Sequence, residues 1–208
     1  MANFIGFGTG RSGTKSLSRV IANCNHSRVV HEKFLTKWGK PDYVTVEAIV
    51  QFLLSDRYNT NGVVALSHIN VVDMLEYRLK NLKLVHIWRD QNEVAESFCR
   101  EHGGISRVLP RDYNKAVTNS RTHTFKSKLN LLAGHPDIFP KIVAENCFES
   151  YSLYWDEYMD RVNKIKSKFY IYELNVNELN DDSQLTKLFD YLEIPNKDRV
   201  YPKIRKYR

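Results

Sequence analysis

The stretch Phe4-Ile5-Gly6-Phe7-Gly8-Thr9-Gly10-Arg11-Ser12-Gly13-Thr14-Lys15-Ser16-Leu17 decides how the chain reads. An apolar, strand-like run enters a glycine-rich turn, and residues 14–23 then follow helical spacing with Leu17, Val20 and Ile21 on one face. Glycines let the backbone bend sharply with its N–H groups gathered into one concavity. The N-terminus of the next helix adds unsatisfied donors and a partial positive charge, so an anion belongs at this turn. Gly6, Gly8, Gly10 and Gly13 would weaken the element without such a use.

Three anion-binding patterns overlap here. Gly8-x-Gly10-x-x-Gly13 matches the dinucleotide fingerprint, with Glu32 near the place of the ribose-binding acid. A chain of 208 residues leaves little room for a substrate domain beyond a dinucleotide half. Gly8 and Gly13 also match the glycines of the GxxxxGK[ST] loop of ATP- and GTP-binding proteins. Thr14 then stands at the lysine position and Lys15-Ser16 fall one place late. That slip displaces the two side chains that serve phosphate and magnesium. The third pattern, a cation followed by Ser-Gly-Thr, is Arg11-Ser12-Gly13-Thr14.

Outward from the loop, short apolar runs alternate with helix-period segments, as in βαβ units around a parallel sheet. Strands are expected over Asn3–Gly8, Arg28–His31, Gly62–Ser67, Leu82–Trp88 and Lys168–Tyr172. Val46, Ile49, Val50, Leu53 and Leu54 form one helical stripe; Phe148, Tyr151, Trp155, Tyr158, Val162 and Ile165 form another. Leu185, Leu188, Phe189 and Leu192 make a third, closed by Pro195. The aromatic stripe reads as core, since periodicity is the ordinary mark of a buried helix face. The expected fold is a three-layer α/β domain over 1–208, a P-loop-kinase-like parallel sheet of about five strands with helices on both faces. Residues 102–165 form an expected acceptor-side helical and loop segment, since His102–Tyr113 lacks periodicity and long loops often serve binding.

Bulk composition narrows the class. Apolar residues make up 42%, which argues against disorder. No apolar run approaches the roughly 18 residues of a membrane span, and the start lacks the pattern of a signal peptide. The expectation is therefore a cytoplasmic protein. The net charge of +7 allows an anionic cofactor, an anionic acceptor or nucleic acid. Much of the excess lies in the tail Lys203–Arg208, and Arg107, Arg111, Lys115, Arg121, Lys126 and Lys128 add a second basic stretch. Cys24, Cys99 and Cys147 are odd in number and widely spaced, so they read as reduced thiols; no zinc spacing or other metal cluster is visible.

Gly10-Arg11-Ser12-Gly13-Thr14 resembles the 5′-phosphosulfate loop of sulfotransferases. The resemblance extends to Leu82–Arg89, an apolar strand ending in Arg89, with Ser97 eight residues later in the next helix. In that family an Arg and a Ser so placed hold the 3′-phosphate, and a guanidinium fork suits phosphate oxygens. Gln91 stands where the family usually has proline, and no Arg-Lys-Gly phosphate loop is recognisable, though Lys203, Arg205 or Lys206 could replace it. Tyr172-Glu173 through Ile194-Pro195 resembles the closing strand and helix, with Glu193 in place of a glycine.

The resemblance implies 3′-phosphoadenosine 5′-phosphosulfate as cofactor, with 3′,5′-bisphosphoadenosine as product and no metal. It implies that Gly10, Arg11, Ser12, Gly13, Thr14, Lys15, Arg89 and Ser97 bind that cofactor, with Arg11 and Lys15 also neutralising the leaving group. Two candidates stand for the base that takes the acceptor proton. His68 follows the apolar run Gly62–Ser67, as a catalytic histidine does in cytosolic sulfotransferases; Glu32 follows the second strand, as a glutamate does in carbohydrate and tyrosine-protein sulfotransferases. A nucleotide or small-molecule kinase on the same kind of sheet remains the alternative. A non-catalytic nucleotide- or nucleic-acid-binding module is the second.

Overall fold

The computed structural model describes residues 2–35, 43–55, 57–102 and 147–201. Its elements run β1 (Ala2–Phe7), α1 (Thr14–Ala22), β2 (Ser27–His31), α2 (Tyr43–Leu53), β3 (Thr60–Val64), α3 (Val72–Arg78), β4 (Lys83–Trp88), α4 (Gln91–His102), α5 (Cys147–Lys166), β5 (Ile171–Asn175) and α6 (Asp182–Tyr191). Short 3-10 turns occupy Leu66–Asn70, Val176–Asn180 and Asn196–Asp198. The basic stretch 107–128 and the tail beyond Tyr201 lie outside the described residues, as does most of the expected acceptor-side segment.

The five strands pair in parallel in the order β2-β3-β1-β4-β5. Side chains alternate across the sheet, so each strand feeds two cores. Ile5, Phe7, Val63 and Leu84 pack with α2, α3, α4 and α5 on one face. Phe4, Val64, Val85, Ile87 and Leu174 pack with α1 and α6 on the other. The result is the expected three-layer, P-loop-kinase-like architecture. Central β1 is flanked by β3 and β4, so the turn after it opens at the point where the chain's crossovers diverge. Ligands of open α/β sheets sit at such points, outside the carboxyl ends of the strands.

The three helical stripes are buried for the most part where the spacing placed them, with Phe148 and Trp155 only partly covered. Val46, Ile49, Val50 and Leu53 are core, but Leu54 is 55% exposed because α2 ends one residue before it. Tyr151, Tyr158, Val162 and Ile165 line the inner face of α5, with Tyr154 beside them. Leu185, Leu188, Phe189 and Leu192 are fully buried. The helix start after β4 is also legible: Asp90 Oδ1 accepts from the Asn92 and Glu93 amides and caps α4.

Two strands differ from their expected limits by more than one residue. β3 runs from Thr60 and stops at Val64, after which the chain turns into the Leu66–Asn70 coil of 3-10 helix. β5 begins at Ile171, three residues late, because the Lys168 and Phe169 amides still bond the Ile165 carbonyl and finish α5. Glu193, at the glycine position of the family resemblance, has φ +56°. Its left-handed backbone ends α6, which is the conformation a glycine accepts without strain. A 2.9 Å ion pair with Lys83 accompanies it.

The cysteines depart from the expectation of three reduced thiols. Cys24 is free and buried, whereas Cys99 is disulfide-bonded. Bridging depends on Cα atoms within roughly 7 Å, which chain spacing does not reveal.

The sheet tolerates no added atom at Gly62, where a Cβ would lie 2.0 Å from Cε1 of the fully buried Phe4 ring. We expect Gly62→Ala to lower unfolding free energy by about 1–3 kcal/mol through overpacking. Urea titration measures this; an unchanged midpoint with an unchanged slope would reject the packing.

Candidate functional site

The loop from Gly8 to Gly13 is shaped by what surrounds it. A Cβ on Gly8 would meet the Ile87 carbonyl at 2.2 Å and Ser12 Oγ at 2.5 Å. One on Gly10 would meet the Phe98 ring at 2.5 Å. Gly13 has φ +99°, in the left-handed region, and Val176 closes on it from the side. Arg11 also adopts a left-handed backbone, φ +68°, which costs a non-glycine residue about 1–2 kcal/mol. The Ser12 amide and hydroxyl both bond the Thr9 carbonyl, locking the turn. Thr9 and Ser12 are buried, and Thr9 Oγ1 has no hydrogen-bond partner among the described residues.

Arg11 turns its side chain toward α4, where Nε donates to Ser97 Oγ at 3.0 Å. Arg89 approaches from the end of β4, with Nη1 3.5 Å from the Arg11 carbonyl oxygen. Its Nε is engaged by Glu93 Oε2 at 2.6 Å, one helical turn on. Trp155 Nε1 donates to the Arg89 carbonyl at 3.1 Å, so α5 helps set this corner. Gln91, where the family resemblance has proline, opens α4 and ties it to α5. Its Nε2 donates to the Ser152 carbonyl and to Asp156 Oδ1 at 3.1 and 2.8 Å. Arg11, Arg89 and Ser97, 86 residues apart at the extremes, therefore meet in one place.

On the other flank, His31 at the end of β2 places Nε2 3.1 Å from Thr14 Oγ1 and 3.9 Å from Glu32 Oε1. Glu32 follows with φ +52° and a half-exposed side chain. Lys15 is exposed on the first turn of α1, and Arg19 is exposed one turn later. Burial lowers the His31 pKa, opposed by the Glu32 charge and helped by Lys15 and Arg19. Nothing in the sequence reading gave His31 a role. Its only signal is position, at a strand end beside the loop's helix.

His68 does not stand at a strand end. It lies in the 3-10 coil, fully buried, with Nε2 donating to the Lys33 carbonyl at 3.1 Å. Burial pushes its pKa down to about 4. It thus clamps the segment that carries Glu32 and Lys33.

A second buried histidine sits behind the loop. His86 is stacked between Phe7 and Tyr158, and its Nδ1 is 3.3 Å from Glu173 Oε1. Lys166 holds the other Glu173 oxygen at 2.6 Å. His86 and Lys166 together hold the Glu173 carboxyl down at about 2. Burial lowers the pKa of His86.

No family model matches the chain. It is 27% identical over 150 residues to a vacuolar protein-sorting protein, bro1, of Aspergillus fumigatus, and spans 14% of the length of that curated relative. Among solved structures, a gluconokinase from Sinorhizobium meliloti superposes with a TM-score of 0.38 at 16% identity, over 81% of this chain and 98% of that one. A deoxyadenosine kinase from M. mycoides with bound dATP gives 0.35 at 14%, over 93% and 100%. Likenesses this distant carry no argument about activity. The fold rests on the strand order itself, and the class is a P-loop-kinase-like α/β protein. Among the described residues, no helix is long and apolar enough to cross a membrane.

The buried histidines make the fold acid-sensitive. In the unfolded chain a histidine titrates near 6.5, above the value of about 4 for folded His68. Between these values the unfolded state binds the extra proton, so stability is full above about pH 6.5 and falls as pH drops. At pH 5 the His68 share of that loss is on the order of 2 kcal/mol. His31 and His86 shift in the same direction. Urea unfolding at pH 7 and pH 5 should show the drop, and His68→Gln should reduce it.

Proposed function

We propose that this protein is a sulfotransferase that binds 3′-phosphoadenosine 5′-phosphosulfate at the Gly8–Gly13 turn and passes its sulfuryl group to an acceptor hydroxyl or amine. The observation that carries the reading is the meeting of Arg11, Arg89 and Ser97, a 5′-loop cation held beside a strand-end arginine and a helix serine. The residues present fit the cofactor. A turn that a Cβ at Gly8 would fill leaves backbone donors for the 5′ end, and Thr9 Oγ1 is a buried hydroxyl without a partner among the described residues. Gly10, Arg11, Ser12, Gly13, Thr14 and Lys15 would surround the 5′ phosphosulfate, and Arg89 and Ser97 the 3′-phosphate. The cofactor supplies an activated sulfuryl group on a phosphate leaving group.

The chain's own groups do the rest. Lys15, the amides at the start of α1 and Arg11, once its Nε leaves Ser97 Oγ, would face the negative charge that grows on the leaving oxygen, where preorganised donors count most. Arg89 must exchange part of its pairing with Glu93 for a phosphate, and Glu93 keeps its guanidinium aimed until then. Glu32, half-exposed beside Thr14's partner His31, is the group we assign to take the acceptor proton. His68, enclosed and bonded to a backbone carbonyl, is assigned to holding the Glu32 segment in place. The same strand order also suits a nucleotide or small-molecule kinase, which is the second reading.

Thermal-shift titration separates the two. 3′,5′-Bisphosphoadenosine should raise the melting temperature at lower concentration than AMP or Mg-ATP, since ligands that bind only the folded form stabilise it. Magnesium-dependent stabilisation by ATP alone, with ATP turnover, would select the kinase.

Variants locate the grip. Arg89→Ala should reduce the preference for the 3′-phosphorylated nucleotide over AMP about tenfold or more, as loss of a charged hydrogen bond does. An unchanged ratio rejects that role. Arg11→Ala should cost on the order of 100-fold in transfer rate with the fold intact. Full activity in that variant would count against the loop assignment.

A further inference from the structure

We propose that His31 is a positioning residue that sets the direction of the Thr14 hydroxyl and so couples anion binding in the phosphate loop to proton uptake. This rests on the loop being a phosphate site, but not on which nucleotide it takes.

Thr14 opens α1 and its side chain is buried, so its hydroxyl has few possible partners. The His31 Nε2 atom at 3.1 Å is one of them. A hydroxyl has a single proton. If Nε2 lacks hydrogen, Thr14 donates to the ring and presents only lone pairs to the loop. If Nε2 carries hydrogen, the ring donates to Thr14 Oγ1, and the Thr14 proton is released toward an anion. The imidazolium carries that hydrogen in every case and adds a positive charge beside the loop. An arriving phosphate therefore favours the protonated ring, and by linkage the protonated ring favours the phosphate.

The charged and titratable groups around His31 support such a balance. Burial chiefly, with Lys15 and Arg19 of α1 after it, disfavours the imidazolium in the free protein. Glu32, 3.9 Å away on the same segment, favours it. His68, from the 3-10 coil after β3, is buried and neutral above about pH 4. A bound dianion would offset the Lys15 and Arg19 charges and shift the balance toward the proton. His31 does no chemistry on the reacting group in this account. It acts through Thr14.

The test is calorimetric titration with two probes, 3′,5′-bisphosphoadenosine and inorganic pyrophosphate, from about pH 5.5 to 8.5. Wild type, His31→Gln, His31→Ala, Thr14→Val and the His31→Ala/Thr14→Val double variant are compared. Phosphate ionisation affects every variant alike, so only differences in pH slope are read. Wild-type affinity should rise as pH falls relative to His31→Gln, with up to one extra proton taken up. Glutamine places an amide donor near Nε2 without titrating, so His31→Gln should keep the affinity and lose the extra slope. At the alkaline end of the range, where the ring carries no charge, His31→Ala should bind about tenfold more weakly, and the double variant no more weakly than Thr14→Val.

Equal slopes in wild type and His31→Gln would overturn the proposal, as would additive effects of His31→Ala and Thr14→Val at the alkaline end of the range. Pyrophosphate binding with the His31-dependent slope, but no preference for the bisphosphate nucleotide, would overturn the sulfotransferase reading alone. Failure of both probes to bind folded wild-type protein would overturn both.

Discussion

A Cβ on Gly8 would sit 2.2 Å from the Ile87 carbonyl oxygen, and this close approach governs the upper edge of the sheet. Only a bare backbone lets the chain leave central β1 pressed against β4, in the space beside the Ile87 carbonyl. From there the turn has little choice. Ser12 folds back on Thr9, Gly13 takes the left-handed conformation that starts α1, and Arg11 accepts a left-handed backbone of its own. Strain of that kind persists where surrounding structure over-determines it. Here the Ser97 hydroxyl and Arg89 supply the surroundings.

Electrostatics and burial then work against each other around the turn. Arg11 and Arg89 gather at one end of the sheet. Three histidines near it are kept from charging chiefly by desolvation. Each has a neighbour that partly offsets the cost of a proton: Glu32 for His31, backbone carbonyls for His68, and Glu173 for His86. Only His31 keeps some solvent access, with its side chain 20% exposed, and only it touches the loop through Thr14. That difference gives three chemically identical rings different parts: His86 a packed spacer, His68 a clamp, His31 a contact with the loop.

The helix α5 has a larger place in the site than its sequence discloses. Its aromatic stripe is core, as periodicity alone indicates, and Tyr158 uses its hydroxyl on the Leu66 carbonyl in passing. Yet Trp155 from the same stripe holds the Arg89 carbonyl, and Ser152 and Asp156 receive Gln91. The residue that stands in place of the family's proline thus has work of another kind. It fastens α4, and with it Ser97, against α5.

What the sequence determined by itself is what local rules govern. The glycine turn, the apolar strand runs and the 3.6-residue stripes depend on backbone freedom and side-chain alternation, which neighbours along the chain dictate. Those signals sufficed for the parallel α/β architecture and paired Arg89 with Ser97 only through a family resemblance. The tertiary structure alone decided the rest, because it turns on contacts between distant segments. It moved His68 from a strand end into a buried coil, since β3 stops where its pairing with β1 and β2 ends. It delayed β5 until the Ile165 carbonyl near the end of α5 was satisfied. It left Cys99 disulfide-bonded and brought His31 to Thr14, two proximities that no spacing in a linear chain encodes.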